Sequence, residues 1–261
     1  MSRQASPARI PGFGVSYPEP GVRVSRVVVV IPTYNEIENL PLLVPRVLAQ
    51  DPRIELLIVD DDSPDGTGKL ADDLARQDRR ISVLHREAKQ GLGPAYRAGL
   101  RRALDLGADL VVQMDADFSH PPETLPRLLA EIERHDVVLG SRYLNGITVV
   151  NWPIQRILIS WFGNWYARMV TRLPISDTTG GFRCIRRELL ERVGFEQIRS
   201  NGYAFQIELN YRFMKHGARV KELEFFFLDR TRGTSKLTKR IALEALWIVW
   251  WLRLADALGR L

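Results

Sequence analysis

The sequence predicts an α/β fold, a mostly parallel sheet with helices on both faces. Three observations carry this. Short runs rich in Val and Ile recur at Val27–Ile31, Ile54–Val59 and Val111–Met114, the composition of parallel strands covered on both faces. Helical patterns alternate with them, as in sheets built from β-α units. Each of these runs also stops abruptly at polar or acidic residues, and ligands of open α/β sheets bind outside the carboxyl ends of the strands.

The first strand ends in Pro32-Thr33-Tyr34-Asn35-Glu36, and residues 37–50 read as a helix with Asn35 as its candidate cap. The second strand ends in Asp60-Asp61-Asp62-Ser63-Pro64-Asp65-Gly66-Thr67, followed by a helix over 66–77 and a short strand over 81–85. Gln90-Gly91-Leu92-Gly93-Pro94 opens a helix running to about Leu106. A Gly-rich turn before a helix can bind phosphate. This one lacks a dinucleotide or P-loop fingerprint, so backbone packing is the favoured reading. Further elements are a strand over 111–114, a helix over 122–134 and a strand over 136–140.

The strand at 111–114 ends in Asp115-Ala116-Asp117. Successive strand residues face opposite ways, but past the strand end both carboxylates can reach one ion. Hard cations such as Mg²⁺ take oxygen ligands and keep contacts to substrate phosphates, so the pattern suits a metal–diphosphate site. Taken alone, such triplets also occur in surface turns.

Taken together, the three strand ends resemble the family 2 glycosyltransferases of the GT-A fold, which carry Pro-x-Tyr-Asn-Glu, Asp-Asp and Asp-x-Asp in this order. The likeness extends to Met114-Asp115-Ala116-Asp117-Phe118-Ser119-His120-Pro121, Gly140-Ser141-Arg142-Tyr143, Asp177-x-x-x-Gly181-Phe182-Arg183 and Gly233-x-Ser235-Lys236. With these the chain is similar to the dolichol-phosphate mannose synthases and their bacterial polyprenol-monophosphate counterparts. Asp62 stands where many of them carry Gly. The resemblance spans roughly residues 26–240. It implies a GT-A domain there, preceded by a leader at 1–25 and followed by an amphipathic, membrane-associated helix at 241–261.

For the site, the resemblance implies a Mg²⁺ or Mn²⁺ ion held by Asp115 and Asp117, with Asp117 the stronger ligand. Pro32, Tyr34, Glu36, Val59 and Asp61 would line the nucleoside pocket, and Ala116 would adjoin the donor. Arg230 and Lys236 would close over the donor diphosphate; cations on a Gly/Ser loop suit that task. Arg232 has no assigned role. Arg142, Arg156 and Ser160 would hold the acceptor phosphate, Arg142 reaching the donor as well. Arg156 also reads as an ordinary surface charge. The implied reaction moves mannose from GDP-mannose to a polyprenyl monophosphate with inversion. The acceptor phosphate is already ionised at neutral pH, so no dedicated general base is needed.

At 261 residues, with 45% hydrophobic and 26% charged residues, the composition is that of a globular protein. The net charge of +6 suits an anionic partner, and no recognisable nucleic-acid motif accompanies it. The lone Cys184 excludes an intrachain disulfide framework and reads as a packed strand residue. The leader is Pro-rich with no signal-peptide core, and no segment reaches the roughly 20 apolar residues of a membrane span. The expected place is therefore peripheral, on the cytoplasmic face of the cell membrane, with or without a separate anchoring protein.

All six tryptophans lie between Trp152 and Trp251. Residues 154–173 read as a helix with an apolar face of Ile154, Leu158, Trp161, Trp165 and Met169, while Arg156 and Ser160 share another face. In residues 241–254, Trp247, Trp250 and Trp251 follow helical spacing with Leu254 and Leu258, flanked by Lys236, Lys239, Arg240, Arg253 and Arg260. Such a helix would be about 21 Å long, short of the roughly 30 Å hydrocarbon core. Tryptophan beside basic residues suits a membrane interface; packing on the domain or on a partner is the other reading. Functional alternatives are another polyprenyl-phosphate hexosyltransferase, such as one using UDP-glucose, or an inert lipid-phosphate or nucleotide-sugar binding subunit.

Overall fold

The structure, a computed structural model, describes residues 26–229 and 239–259. Its main sheet has seven strands: β1 (Val27–Thr33), β2 (Ile54–Asp60), β3 (Ile81–His85), β4 (Leu110–Gln113), β5 (Val137–Ser141), β7 (Arg183–Arg186) and β8 (Val220–Glu224). They lie in the order β3-β2-β1-β4-β7-β5-β8. All run parallel except β7, which is antiparallel to both β4 and β5. A small ribbon pairs β6 (Val149–Val150) with β9 (Phe227–Leu228).

β1 shows why this sequence makes a two-faced sheet. Val28 and Val30 join the core on one side; Val27, Val29 and Ile31 join the core on the other, and all five are fully buried. The helices are α1 (Leu40–Leu48), α2 (Thr67–Gln77), α3 (Leu92–Asp105), α4 (Leu125–Glu131), α5 (Ile154–Thr171), α6 (Arg187–Val193), α7 (Gly202–Lys215) and α8 (Lys239–Ala257). Cys184 is buried in β7, as expected of a packed strand residue.

The start of α1 corrects the expected cap. The helix begins at Leu40 behind Asn39, while Asn35 lies upstream in the left-handed region at φ 57°. The loop is drawn instead toward the end of β2. Ser63 Oγ accepts from Asn35 N (3.1 Å), Thr67 Oγ1 from Glu36 N (2.9 Å) and Asp65 Oδ2 from Ile37 N (3.2 Å). These three backbone donors are committed to the Ser-Pro-Asp-Gly-Thr segment, which delays the helix and joins two strand ends into one rim.

α8 belongs to the body of the fold. It packs on α7 and α5, and its Val249 and Leu252 join the same core as Val28 and Val30. The bulky residues of α5 and α8 point elsewhere. Trp161, Trp165 and Met169 are about half exposed, and Trp247 is 71% exposed. Among the described residues, no helix is long and apolar enough to cross a membrane.

Candidate active site

The carboxyl ends of β1, β2, β4 and β5 meet along one edge, and the strand order reverses between β1 and β4. A crevice opens at such a reversal. Asp115 and Asp117 stand at its floor, just past the end of β4.

The turn after Asp117 places Phe118 at φ 62°, an uncommon conformation for a bulky side chain and one that gathers at functional sites. Side-chain donors fix both carboxylates. Tyr96 Oη of α3 donates to Asp115 Oδ1 (3.0 Å), and Ser119 donates to Asp117 Oδ1 through N (3.1 Å) and Oγ (2.6 Å). Burial, reinforced by Asp115, pushes the Tyr96 pKa well up, so the phenol stays protonated and donating. Asp115 N donates to His120 Nδ1 (2.9 Å), which puts the ring proton on Nε2. His120 is buried and stacked on Phe182, with centroids 4.8 Å apart; burial lowers its pKa and keeps it neutral. The donor set is hard carboxylate oxygen, as Mg²⁺ or Mn²⁺ requires. Among the described residues, no group of three or more His, Cys, Asp or Glu could hold a metal ion, so a cation here would depend on ligand oxygens as well.

On the nucleoside side, Pro32 pairs in register with Val59. The Val59 side chain is fully buried and stands beside Gly99 of α3, which leaves only its backbone to meet a ligand. Ala116 is buried as well. Glu36 accepts from Asn39 Nδ2 (2.8 Å). Asp61 is buried and ion-paired with Arg86, whose other nitrogen donates to Gln90 Oε1 (2.9 Å). Burial raises the Asp61 pKa and Arg86 opposes the rise. The Lys89 ammonium sits 3.8 Å from the centroid of the Tyr34 ring. Arg86 and Lys89 thus reach the predicted nucleoside pocket, which no motif announced. Asp62 has φ 56°, a left-handed conformation that Gly adopts freely and Asp tolerates. The Gly91–Gly93 turn is a packing device: Gly93 N donates to Asn201 Oδ1 (2.8 Å), and a β-carbon at 93 would stand 2.5 Å from Ser200 O.

The predicted acceptor residues gather on the far side. Arg142 is buried and donates to Asp177 through Nε (2.6 Å) and Nη2 (2.7 Å), and to Thr179 Oγ1 (2.9 Å). Burial alone would raise the Asp177 pKa; the Arg142 charge and hydrogen bonds outweigh it and hold the carboxyl below its usual range. Arg156 Nη1 donates to Asp229 Oδ1 (2.9 Å), and its guanidinium lies 3.9 Å from the centroid of the Trp152 ring. The Arg142 guanidinium lies 5.8 Å from the same centroid, and Tyr143 Oη donates to Ser160 Oγ (2.7 Å). Arg142, Arg156 and Ser160 therefore share one neighbourhood, and each arginine already has a carboxylate partner. Arg230 and Lys236 lie outside the described residues; Asp229, the partner of Arg156, immediately precedes Arg230.

The model of glycosyl transferase family 2 matches residues 28–194, which include the whole crevice floor. The chain belongs to this family. It is 46% identical over 220 residues to an undecaprenyl-phosphate mannosyltransferase of Micrococcus luteus, covering 84% of this chain and 90% of that one. It is also 46% identical over 226 residues to a polyprenol monophosphomannose synthase of Mycolicibacterium smegmatis, covering 86% and 85%. Among solved structures, the glucosyl-3-phosphoglycerate synthase of Mycobacterium tuberculosis with Mn²⁺ and UDP-glucose aligns with a TM-score of 0.62 at 19% identity, over 90% of this chain and 79% of that one. The fold is GT-A, and the protein is a glycosyltransferase.

Proposed function

We propose that this glycosyltransferase moves mannose from GDP-mannose to a polyprenyl monophosphate with inversion, giving polyprenyl β-mannosyl phosphate and GDP. One juxtaposition carries the reading: a carboxylate pair at the sheet edge lies across a crevice from an arginine helix whose outward face is apolar. The names of the two relatives at 46% identity support the sugar and the lipid.

Asp115 and Asp117 would hold a divalent cation, Mg²⁺ or Mn²⁺, which when bound neutralises the leaving diphosphate. Asp61 accepts from base or ribose, and Tyr34 offers a stacking face at the position Lys89 now covers. Arg156 exchanges Asp229 for the acceptor phosphate; Ser160 adds a hydroxyl. Arg142, locked by Asp177, shapes the space between the two substrates. Arg230 and Lys236 complete the diphosphate clamp. Catalysis then comes from positioning and charge stabilisation.

The exposed faces of α5 and α8 lie at the headgroup level of the cytoplasmic leaflet, where Trp161, Trp165, Trp247 and Trp250 enter the interface. A membrane-anchoring protein would add to this attachment. The deciding experiment is a panel of nucleotide sugars with polyprenyl phosphate in detergent and Mg²⁺ or Mn²⁺, followed by mass spectrometry of the lipid. A hexose added from GDP-mannose in preference to UDP-glucose supports the proposal. Preference for another donor overturns the sugar, and no lipid product with any donor overturns the activity.

A further inference from the structure

Gln206 projects from α7 and is 2% exposed, and neither atom of its amide has a hydrogen-bond partner among the described residues. Native cores keep few such groups. One turn further along the same helix face, Asn210 is fully used: its Oδ1 accepts from Arg183 (2.9 Å) and its Nδ2 donates to Thr178 O (3.0 Å). Along α7 the orphaned amide thus falls at position 206; among the described residues Gln113, at the end of β4, carries a second one.

The amide approaches the backbone of Gly181 closely, where a side chain would crowd it. The point where a β-carbon of residue 181 would stand is 3.3 Å from Gln206 Nε2, 3.7 Å from His120 Cε1 and 3.9 Å from Asp115 Oδ1. An amide donor, the edge of a neutral imidazole and a carboxylate oxygen thus cluster around Gly181, on the side of the crevice floor. A ligand hydroxyl both donates and accepts, so it can satisfy the amide and the carboxylate together. Phosphate oxygen only accepts when ionised, and an apolar group would leave the amide unpaired.

We infer that Gln206 hydrogen-bonds a hydroxyl of the transferred sugar, which makes the start of α7 the sugar-reading wall of the crevice. The inference rests on the proposed function, since it takes Asp115 as the diphosphate end of the donor. It names the element that discriminates among sugars, and this element lies beyond residues 28–194, the part shared with the family at large. A site built to bond a hydroxyl rejects analogues that misplace it far more strongly than an apolar pocket does.

The test is Gln206→Met, which keeps the length of the side chain and removes the amide, with Gln206→Asn as a second variant that keeps an amide but withdraws it by one methylene. Affinity is measured by calorimetry with Mn²⁺ for GDP-mannose and, separately, for GDP. Both variants are expected to bind GDP-mannose about tenfold more weakly and GDP within twofold of wild type. Preference for GDP-mannose over GDP-glucose should narrow by a similar factor. Gln206→Met should unfold at or above the wild-type temperature, because no protein hydrogen bond is lost. Equal loss of GDP and GDP-mannose binding, unchanged sugar preference, or a fall of several degrees in unfolding temperature overturns the assignment. If the donor panel selects another nucleotide sugar, the same comparison is made with it and its nucleoside diphosphate, so the two proposals fail separately. A wild-type enzyme that binds no nucleotide sugar overturns both.

Discussion

On the floor of the crevice, Asp115 and Asp117 are held by the hydroxyls of Tyr96 and Ser119. On the far wall, the arginines are held by carboxylates, Arg142 by Asp177 and Arg156 by Asp229. A hydroxyl fixes a carboxylate without neutralising it, so the floor is ready for a cation. A carboxylate neutralises an arginine, so an anion arriving at the wall must compete for it. The two arginines differ in how far that competition can succeed. The Arg142–Asp177 side chains are 6% and 0% exposed, whereas those of Arg156–Asp229 are 30% and 23% exposed. A buried bidentate pair is structure; a partly exposed pair at a rim can change partners.

The contrast breaks most visibly at Asp117. Asp117→Ala should lower mannosyl-lipid formation by more than about a thousandfold, since a bound cation is worth several kcal/mol at a departing diphosphate. The unfolding temperature should stay near wild type, and exhaustive chelation should have the same effect. Full turnover after metal removal would end the metal role.

Asp177→Asn should act on stability first. It leaves the Arg142 charge buried without its partner, a loss of about 3–5 kcal/mol measurable by urea unfolding. The pH dependence has a definite sign. The native pKa of Asp177 lies below its ordinary 3.8, so the pair's contribution is complete above that value and fades as pH falls through the lower native one. The wild-type urea midpoint should therefore drop more steeply than that of Asp177→Asn in this acid window; parallel curves would contradict the assignment.

Asp61→Ala sharpens the donor side. Losing a charge-assisted contact should weaken donor binding by about ten- to a hundredfold, as read by calorimetry; unchanged affinity would remove Asp61 from the pocket. The smallest effect is expected at the outward face. Truncating α8 would strip Val249 and Leu252 from the core, so substitution is the cleaner probe. Trp247→Ser together with Trp250→Ser should reduce sedimentation with anionic liposomes by about tenfold while the fold persists. Unaltered sedimentation would mean these tryptophans do not touch lipid.

What was legible in the sequence follows from how each signal arises. β1, β2 and β4 are buried on both faces and read as Val/Ile runs, and their acidic ends announced Asp61, Asp115 and Asp117. β7 was recognised only through Cys184, because Arg183 and Arg186 bracket it; Arg183 is fully buried, which charge patterning cannot foresee. α7 was missed because Gln206, Glu208, Asn210 and Arg212 are buried with its apolar residues, erasing the amphipathic period. Tyr96, Arg86 and Lys89 gain their roles from neighbours that belong to other segments of the chain, and no local pattern reports that. For α5 and α8, spacing told which residues share a face, while only the fold showed that this face points outward.

Arg156 tests the division of the crevice most directly. Steady-state kinetics of Arg156→Ala are measured with GDP-mannose and polyprenyl phosphate varied in turn. Loss of one charge-assisted phosphate contact, about 1.5–3 kcal/mol, should raise the acceptor KM and lower kcat/KM for the lipid about ten- to a hundredfold, with the donor KM within twofold of wild type. An enzyme whose acceptor KM and kcat/KM remain at the wild-type values, or whose donor and acceptor parameters worsen together, would contradict it.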